Sequence, residues 1–334
     1  MVTVIFTVLN EVGTLQTLLD SLAAQTREPD EVVVCDGGSS DGTAALIHAE
    51  TDRSRLKLRF LLEPGANISR GRNLAIGAAT GEIIACCDAG VRLEPDWLQQ
   101  ITAPFRENEV PVPGVFAPPP PPNAVAGFFV PEPRSIFEIA LSATTLPVLG
   151  EIDTHTFLPS SRSVAFQKSA WQAAGGYPEW LDYCEDLLFD FAIRESSGGF
   201  TFAPRAIVHF RPRSTLNAFA RQYYLYARGD GKANLWMKRH LVRYATYLIA
   251  LPAITIGLVL VSPLVLLLLA VGAGLYLRQP YHRLPQVPGF AELPVSRKIQ
   301  AAALIPLIRF VGDVAKMIGY PVGVLWRARH YGKP

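Results

Sequence analysis

The sequence predicts an α/β body built on a mostly parallel sheet with helices on both faces. A membrane helical hairpin and a basic amphipathic segment follow it. Three observations carry this prediction. Strand-length apolar runs alternate with stretches of helical period through the first 110 residues. Clusters rich in Asp and Gly fall at the carboxyl ends of those runs. Far downstream, residues 244–277 form 34 consecutive positions without a charge or a histidine.

The strand runs are Val2–Val8, Glu31–Cys35, Lys57–Leu62 and Ile83–Cys87. Between them, Leu15, Leu18, Leu19 and Leu22 repeat with helical spacing, and Ile68–Ala79 reads as another helix. Strand–helix–strand alternation with nearly continuous apolar strands is the pattern of a parallel sheet covered on both faces. Its crossovers should be right-handed, with ligands gathering at the carboxyl ends of the strands. Pro111–Arg134 then holds nine prolines in 24 residues and reads as extended polyproline or loop rather than a central strand. It separates a nucleotide-binding half (1–110) from an acceptor half (111–230).

Residues 231–243 are a basic juxtamembrane segment ahead of the uncharged stretch 244–277. One straight helix of 34 residues would be ~51 Å long, against a hydrocarbon core of ~30 Å. Ser262-Pro263 interrupts it, which gives two legs, Tyr244–Val261 and Leu264–Leu277. Lys238, Arg239 and Arg243 precede the legs, and Arg278 and Arg283 follow them. Positive charge on both flanks places both ends on the cytoplasmic side, as a spanning or re-entrant hairpin would. The soluble alternative is a buried core hairpin. Within the basic tail 278–334, Ile299–Ile318 carries Arg309, Asp313 and Lys316 on one helical face. That suits a helix lying in the membrane interface or one packed on the body.

Hydrophobic residues make up 49% of the chain and charged residues 18%, which excludes a disordered chain or a disulfide-stapled miniprotein. The net charge of +2 conceals a division. From Gly231 onward 13 Lys and Arg face only Glu292 and Asp313 (+11), which leaves 18 against 27 acids (−9) before it. An acidic front and a basic, apolar rear suit a catalytic body with a membrane-facing tail. Such a front would repel a phosphate backbone, so nucleic acid is excluded as a partner. Cys35, Cys86, Cys87 and Cys184 have no CxxC spacing and read as buried thiols in a reducing compartment. With no charged n-region or cleavage site near Met1, the front domain is expected to face the cytoplasm.

The chemistry lies in the polar clusters. Asp36-Gly37-Gly38-Ser39-Ser40-Asp41-Gly42-Thr43 follows a strand and opens a helix. Its glycines permit close backbone approach and its acids can accept from a base or a ribose, although a turn with a helix cap accounts for the same residues. An acidic turn repels phosphate, so the nucleoside end of a ligand fits there better. Asp88 ends a strand and could hold a ribose hydroxyl or a divalent cation, or simply cap the strand. Arg70-Gly71-Arg72-Asn73 places two guanidiniums at a helix start, as a diphosphate clamp or a solvated face.

Taken in order, strand–Asn10-Glu11, Asp36 to Thr43, Arg72-Asn73, strand–Asp88-Ala89-Gly90, Gly175-Gly176-Tyr177 and Glu185-Asp186 resemble a family 2 glycosyltransferase of GT-A fold. The resemblance covers roughly Val2–Gly231. It implies an inverting enzyme that takes a hexosyl-type sugar from a nucleotide diphosphate. Glu11, Asp36, Arg70 and Arg72 would hold the donor. Asp88 matches the first carboxylate of the D-x-D element. Glu185-Asp186 match the acidic pair over the acceptor, with Asp186 as general base and Asp182 as a weaker substitute. Gly90 stands at the second D-x-D position, so either a divalent metal (Mn or Mg) would rest on Asp88, the diphosphate, water and His209, with a packed or surface group as the other reading of His209, or the enzyme would be weak-metal or metal-independent. Gln222, Tyr223 and Arg228 lie in the segment resembling the Arg-Gln stretch ahead of related membrane helices, where they would line an acceptor mouth. The hairpin in turn suggests a lipid-linked or cell-envelope glycan acceptor. Two rival readings stay open. One is a non-catalytic GT-A-fold scaffold or sugar-nucleotide-binding protein, favoured by Gly90. The other is a nucleotidyltransferase, which would require a basic phosphate loop after the first strand.

Overall fold

The structure, a computed structural model, describes residues 1–53, 55–106, 120–260, 264 and 266–330. It forms two compact units, Met1–Val130 with Leu149–Phe210, and Pro131–Val148 with Arg211–Pro334.

The first unit begins β1 (Val2–Val8), α1 (Val12–Ala23), β2 (Glu31–Asp36), α2 (Thr43–Arg53), β3 (Leu58–Leu62), α3 (Ile68–Ala78) and β4 (Ile83–Cys86). After β5 (Val91–Leu93), α4 (Trp97–Thr102) and β6 (Ala124–Pro131), the chain gives α5 (Ile136–Thr145) to the second unit. It returns through β7 (Val164–Gln167), α6 (Lys168–Ala173), α7 (Glu185–Ser197) and β8 (Thr201–Phe210). The eight-stranded sheet has the order β3-β2-β1-β4-β7-β6-β8-β5. Its first four strands are parallel, as the apolar alternation requires, and β7 pairs antiparallel with both β4 and β6. Register aligns Val8 with Asp36 and Asp36 with Leu62, so the polar turns leave the sheet along one edge. Successive residues of β1 divide between the faces. Val4 and Phe6 pack with Leu15, Leu18 and Leu22 of α1, whereas Ile5 packs with Ala75 and Ile76 of α3.

One expectation is corrected here. Within Pro111–Arg134, residues 124–131 are strand β6, set inside the sheet between β7 and β8. The prolines sit before Asn123 and from Pro131 onward, which leaves the β-forming run Ala124–Val130 free of them. Residues 111–119 of the proline-rich stretch lie outside the described residues, as does the Ser262-Pro263 break. All four cysteines are buried free thiols.

The second unit contains α5, α8 (Leu216–Lys232), α9 (Met237–Ala245), a π-helical turn (Thr246–Ala250), α10 (Leu251–Leu260), α11 (Leu266–Arg283) and α12 (Val295–His330). Its core joins Ile139 and Leu141 of α5 to Phe219 of α8 and to Ala301, Ile305 and Ile308 of α12. Among the described residues, Met237–Leu258 is the one helix long and apolar enough to cross a membrane. It has 22 residues and mean hydropathy 1.5, and its apolar window has no buried residue. Leu267, Val271 and Leu275 of α11 are likewise exposed.

The segment Ile299–Ile318 is the middle of a 36-residue helix, and its inner face is packed against protein. Gly319 and Gly323 of α12 and Gly231 of α8 let the two backbones touch. A Cβ on Gly323 would stand 2.1 Å from the Arg228 carbonyl oxygen, and one on Gly319 2.2 Å from that of Tyr224. Arg309, Asp313 and Lys316 share a face as expected, but they line a cavity in this unit instead of facing an aqueous surface.

Candidate active site

The site is assembled from the sheet edge upward. The loop after β2 closes on the loop after β1 through side chains. Asp41 accepts from the backbone N–H of Val12 (3.1 Å) and of Thr43 (3.0 Å), and the Glu11 N–H donates to Thr43 Oγ1 (2.9 Å). Asn10, in the left-handed region at φ 59°, donates its N–H to Ser39 Oγ and accepts from the Ser40 N–H. Asp36 is fully buried. Its Oδ1 accepts from the N–H of Gly38 (2.9 Å) and from the N–H and hydroxyl of Ser39 (both 2.8 Å). Its Oδ2 is buried without a hydrogen-bond partner. Such an oxygen suits an N–H or O–H donor from a ligand, because a buried acceptor left unmade is costly. Glu11 accepts from the Thr14 hydroxyl at the start of α1.

Across the edge, α3 presents the two arginines on opposite sides. Gly71 between them fits tightly on the sheet, where a Cβ would meet Thr7 Cγ2 at 2.9 Å. That close approach turns Arg72 inward, while Arg70 stays half-exposed and pairs with Glu63. Arg72 is 2% exposed and divides its guanidinium. One Nη donates to Asp88 Oδ1 at 2.9 Å and the other to Glu185 Oε1 at 2.8 Å, and the group lies 5.2 Å from the Tyr177 ring centre. Asn73 fastens the glycine turn: its amide donates to the Tyr177 carbonyl and its Oδ1 accepts the Tyr177 N–H, both at 2.8 Å. Gly175 and Gly176 supply the left-handed φ values of 78° and 76° that this turn requires.

Cys184, at φ 67°, is a left-handed non-glycine residue directly before α7, and it sets Glu185 and Asp186 at that helix's first turn. Burial and the Asp186 charge push the Glu185 carboxyl up to about 7, against the pull of Arg72. Burial also raises Asp186, opposed by Arg72, by the Leu187 N–H and by Arg162. One turn on, buried Asp190 is raised well above the carboxylate range by burial and by the Asp186 charge. Asp36, Asp88 and the Glu185-Asp186 pair thus all belong to the first unit, and Arg72 physically joins the latter two. Asp182 is exposed and receives a 3.5 Å contact from the Asn67 amide.

Sequence reasoning missed Arg162. It lies in the loop before β7, its Nε is 3.7 Å from Asp88 Oδ2, and its guanidinium stacks 4.5 Å from the Phe210 ring centre. The one local signal was an arginine among serines, Ser160-Ser161-Arg162-Ser163, ahead of an apolar run.

His209 lies on β8 opposite Arg92, and its Nε2 is hydrogen-bonded to Glu94. Among the described residues no group of three His, Cys, Asp or Glu side chains could hold a metal. The donor available to a cation is Asp88 Oδ2, whose carboxylate is already flanked by two guanidiniums. Of the expected acceptor residues on α8, Gln222 donates to the Tyr226 hydroxyl at 2.7 Å. The Arg228 backbone packs against α12, and Tyr223 lines the cavity of the second unit.

Residues 3–124 match the model of glycosyl transferase family 2. Validoxylamine A glucosyltransferase of Streptomyces hygroscopicus subsp. limoneus is 32% identical over 105 residues, 31% of this chain and 23% of that protein. Succinoglycan biosynthesis protein ExoO of Rhizobium meliloti (strain 1021) is 35% identical over 100 residues, 30% of this chain and 28% of that protein. The match therefore spans only about a quarter of these relatives. Among solved structures, the mannosyltransferase PcManGT from Pyrobaculum calidifontis, in complex with GDP-Man and Mn2+, superposes with TM-score 0.60 at 20% identity. The likeness covers 95% of this chain and 86% of that one, and it is a likeness of fold.

Proposed function

We propose that this chain, whose residues 3–124 are family 2 glycosyl transferase sequence on a GT-A fold, is an inverting glycosyltransferase that uses a nucleotide-diphosphate sugar. The carrying observation is the Arg72 bridge, which ties Asp88 to the start of α7, where two carboxyls are held above their ordinary range. In this reading the first unit, Met1–Val130 with Leu149–Phe210, carries the catalytic site. Asp36 and Glu11 hold the nucleoside, and Arg70 stands at the rim of the donor site. Asp186 takes the proton of the acceptor hydroxyl as that oxygen attacks the anomeric carbon opposite the leaving diphosphate. A raised pKa suits this role, because a base poised near the working pH accepts a proton and later gives it up. Glu185, held by Arg72, fixes the pair in place. Arg72 and Arg162 offset charge that develops on the departing diphosphate. A divalent cation, when bound, would neutralise the same charge, with Asp88 as its protein ligand.

The acceptor is read as a lipid-linked or cell-envelope glycan, and the chain as membrane-attached with its catalytic domain facing the cytoplasm. The support is the exposed apolar helix Met237–Leu258 beside basic flanks.

A panel of nucleotide-diphosphate sugars, with and without Mn²⁺, tests the donor by thermal shift, since a ligand of the native state raises its melting point. Asp186→Asn is expected to lower turnover by about 10²-fold or more while donor affinity stays unchanged. Near-normal turnover would remove Asp186 from the role of base. A Cβ at Gly90 meets nothing within 4 Å, so Gly90→Asp is accommodated. That variant is expected to make the thermal shift with donor more Mn²⁺-dependent, and an unchanged dependence would argue against metal contact at this turn.

A further inference from the structure

The second unit holds a cavity of about 380 Å³ that the sugar-transfer chemistry does not use. This is within the usual range of small-molecule sites, roughly 300–1,000 Å³. Five cations reach it, Arg239, Arg243, Arg283, Arg309 and Lys316, against one lining carboxylate, Asp313. Asp313 is already engaged: Arg243 Nε donates to it at 2.6 Å, the Tyr247 hydroxyl at 3.1 Å, and the Tyr276 hydroxyl also bonds it. Arg239, Arg309 and Lys316 rest on ring faces. Lys316 Nζ lies 4.4 Å from the Tyr223 ring centre, and Arg309 lies 4.5 Å from that of Tyr276. Arg309 Nε is buried without a hydrogen-bond partner. Burial, and secondarily the Arg243 charge, lower Lys316 to about 8, with Asp313 and Asp230 pulling the other way. A buried donor without an acceptor among crowded cations points to an anion that fills the space.

The surroundings identify what carries that anion. Thr246 and Tyr247, which line the cavity, belong to the π-helical turn within the apolar helix, and Tyr276 lies near the end of α11. Widened turns of this kind concentrate at functional positions. From this wall α10 and α11 continue as exposed apolar surface, with Ile256 57%, Leu267 62% and Val271 61% exposed. A ligand that fits both parts has a phosphate head and a hydrocarbon chain. We propose that this cavity binds the phosphate head of a lipid, with the chain lying along the apolar helices. The site is argued from the second unit alone and stands whether or not the acidic site transfers sugar.

The test uses the full chain in neutral detergent, with binding read by native mass spectrometry and thermal shift. The probes are phosphatidic acid, phosphatidylcholine and inorganic phosphate. Phosphatidic acid should bind at least about ten-fold more tightly than either of the others, as expected when charged hydrogen bonds and chain burial combine. Lys316→Met and Arg309→Gln should each weaken phosphatidic acid about ten-fold. Lys316→Met should leave the ligand-free melting point unchanged or higher, because it removes a crowded cation; this separates lost binding from lost folding. Arg297→Gln, an exposed cation on α12 outside the cavity, should bind like the wild type. Equal binding of phosphatidylcholine would overturn the phosphate-head assignment, and equal binding of inorganic phosphate would overturn the lipid. Wild-type affinity in both cavity variants would place the site elsewhere.

Discussion

Arg72 has both ends of its guanidinium committed to carboxylates, so the protonation of its neighbours shapes stability. With Glu185 raised to about 7, the folded chain keeps a proton that the unfolded chain releases near the ordinary glutamate range. Stability is therefore greatest below that range and falls as pH rises towards 7. Glu185→Gln is expected to flatten this fall in denaturant titrations run across the interval. On the proposed mechanism, a base that must be ionised also gives activity an acid limb. Arg162 holds Asp186 down, so Arg162→Gln is expected to shift that limb to higher pH in a kcat/KM profile. An unmoved limb would detach Asp186 from the rate. At this scale the motif residues Asp36, Arg72, Asp88, Glu185 and Asp186 all fall in one unit, whereas Gln222, Tyr223 and Arg228 of the Arg-Gln stretch fall in the other. Arg162 was hard to read because its partners, Asp88 and Phe210, are distant in sequence, and an arginine among serines marks no particular chemistry.

At the scale of elements, β1 to β4 and α3 were legible within a residue, α1 by its buried face and α2 only by its start at Thr43, because apolar periodicity and polar turns agree along the parallel half. The antiparallel half was not. β6 sits within proline-dense composition, and its pairing with β7 depends on contacts some forty residues apart. The face of α12 bearing Arg309, Asp313 and Lys316 was also correct, but a helical wheel cannot say whether a polar stripe meets water, lipid headgroups or a cavity. The glycines of α12 carry the more decisive information. Gly323→Ala would force a Cβ to 2.1 Å from a carbonyl of α8, so the helices must part. A loss of about 1–3 kcal/mol, or more, is expected in thermal unfolding. Gly274→Ala in α11 meets nothing within 4 Å and should be neutral or stabilising by up to about 1 kcal/mol. Equal effects would mean that α8 and α12 do not touch through their backbones.

At the scale of the molecule, two compact units divide the chemistry, acids around a sheet edge in one and cations around a cavity in the other. The charge division at Gly231 does not coincide with this partition, because Pro131–Val148 and Arg211–Asp230 belong to the second unit. If the apolar helices insert into a bilayer, the chain should stay with membranes in 1 M salt, where the screening length is about 3 Å, and leave only with detergent. Release by salt alone would reduce the attachment to surface charge. The π-helical turn at Thr246–Ala250 has a consequence for chain length. Losing one residue from an ordinary helix swings everything beyond it by ~100°. A deletion within the wide turn could instead close it to regular spacing, and Leu251–Leu260 would keep its facing. The gene can shorten there by a codon without reorienting what comes after.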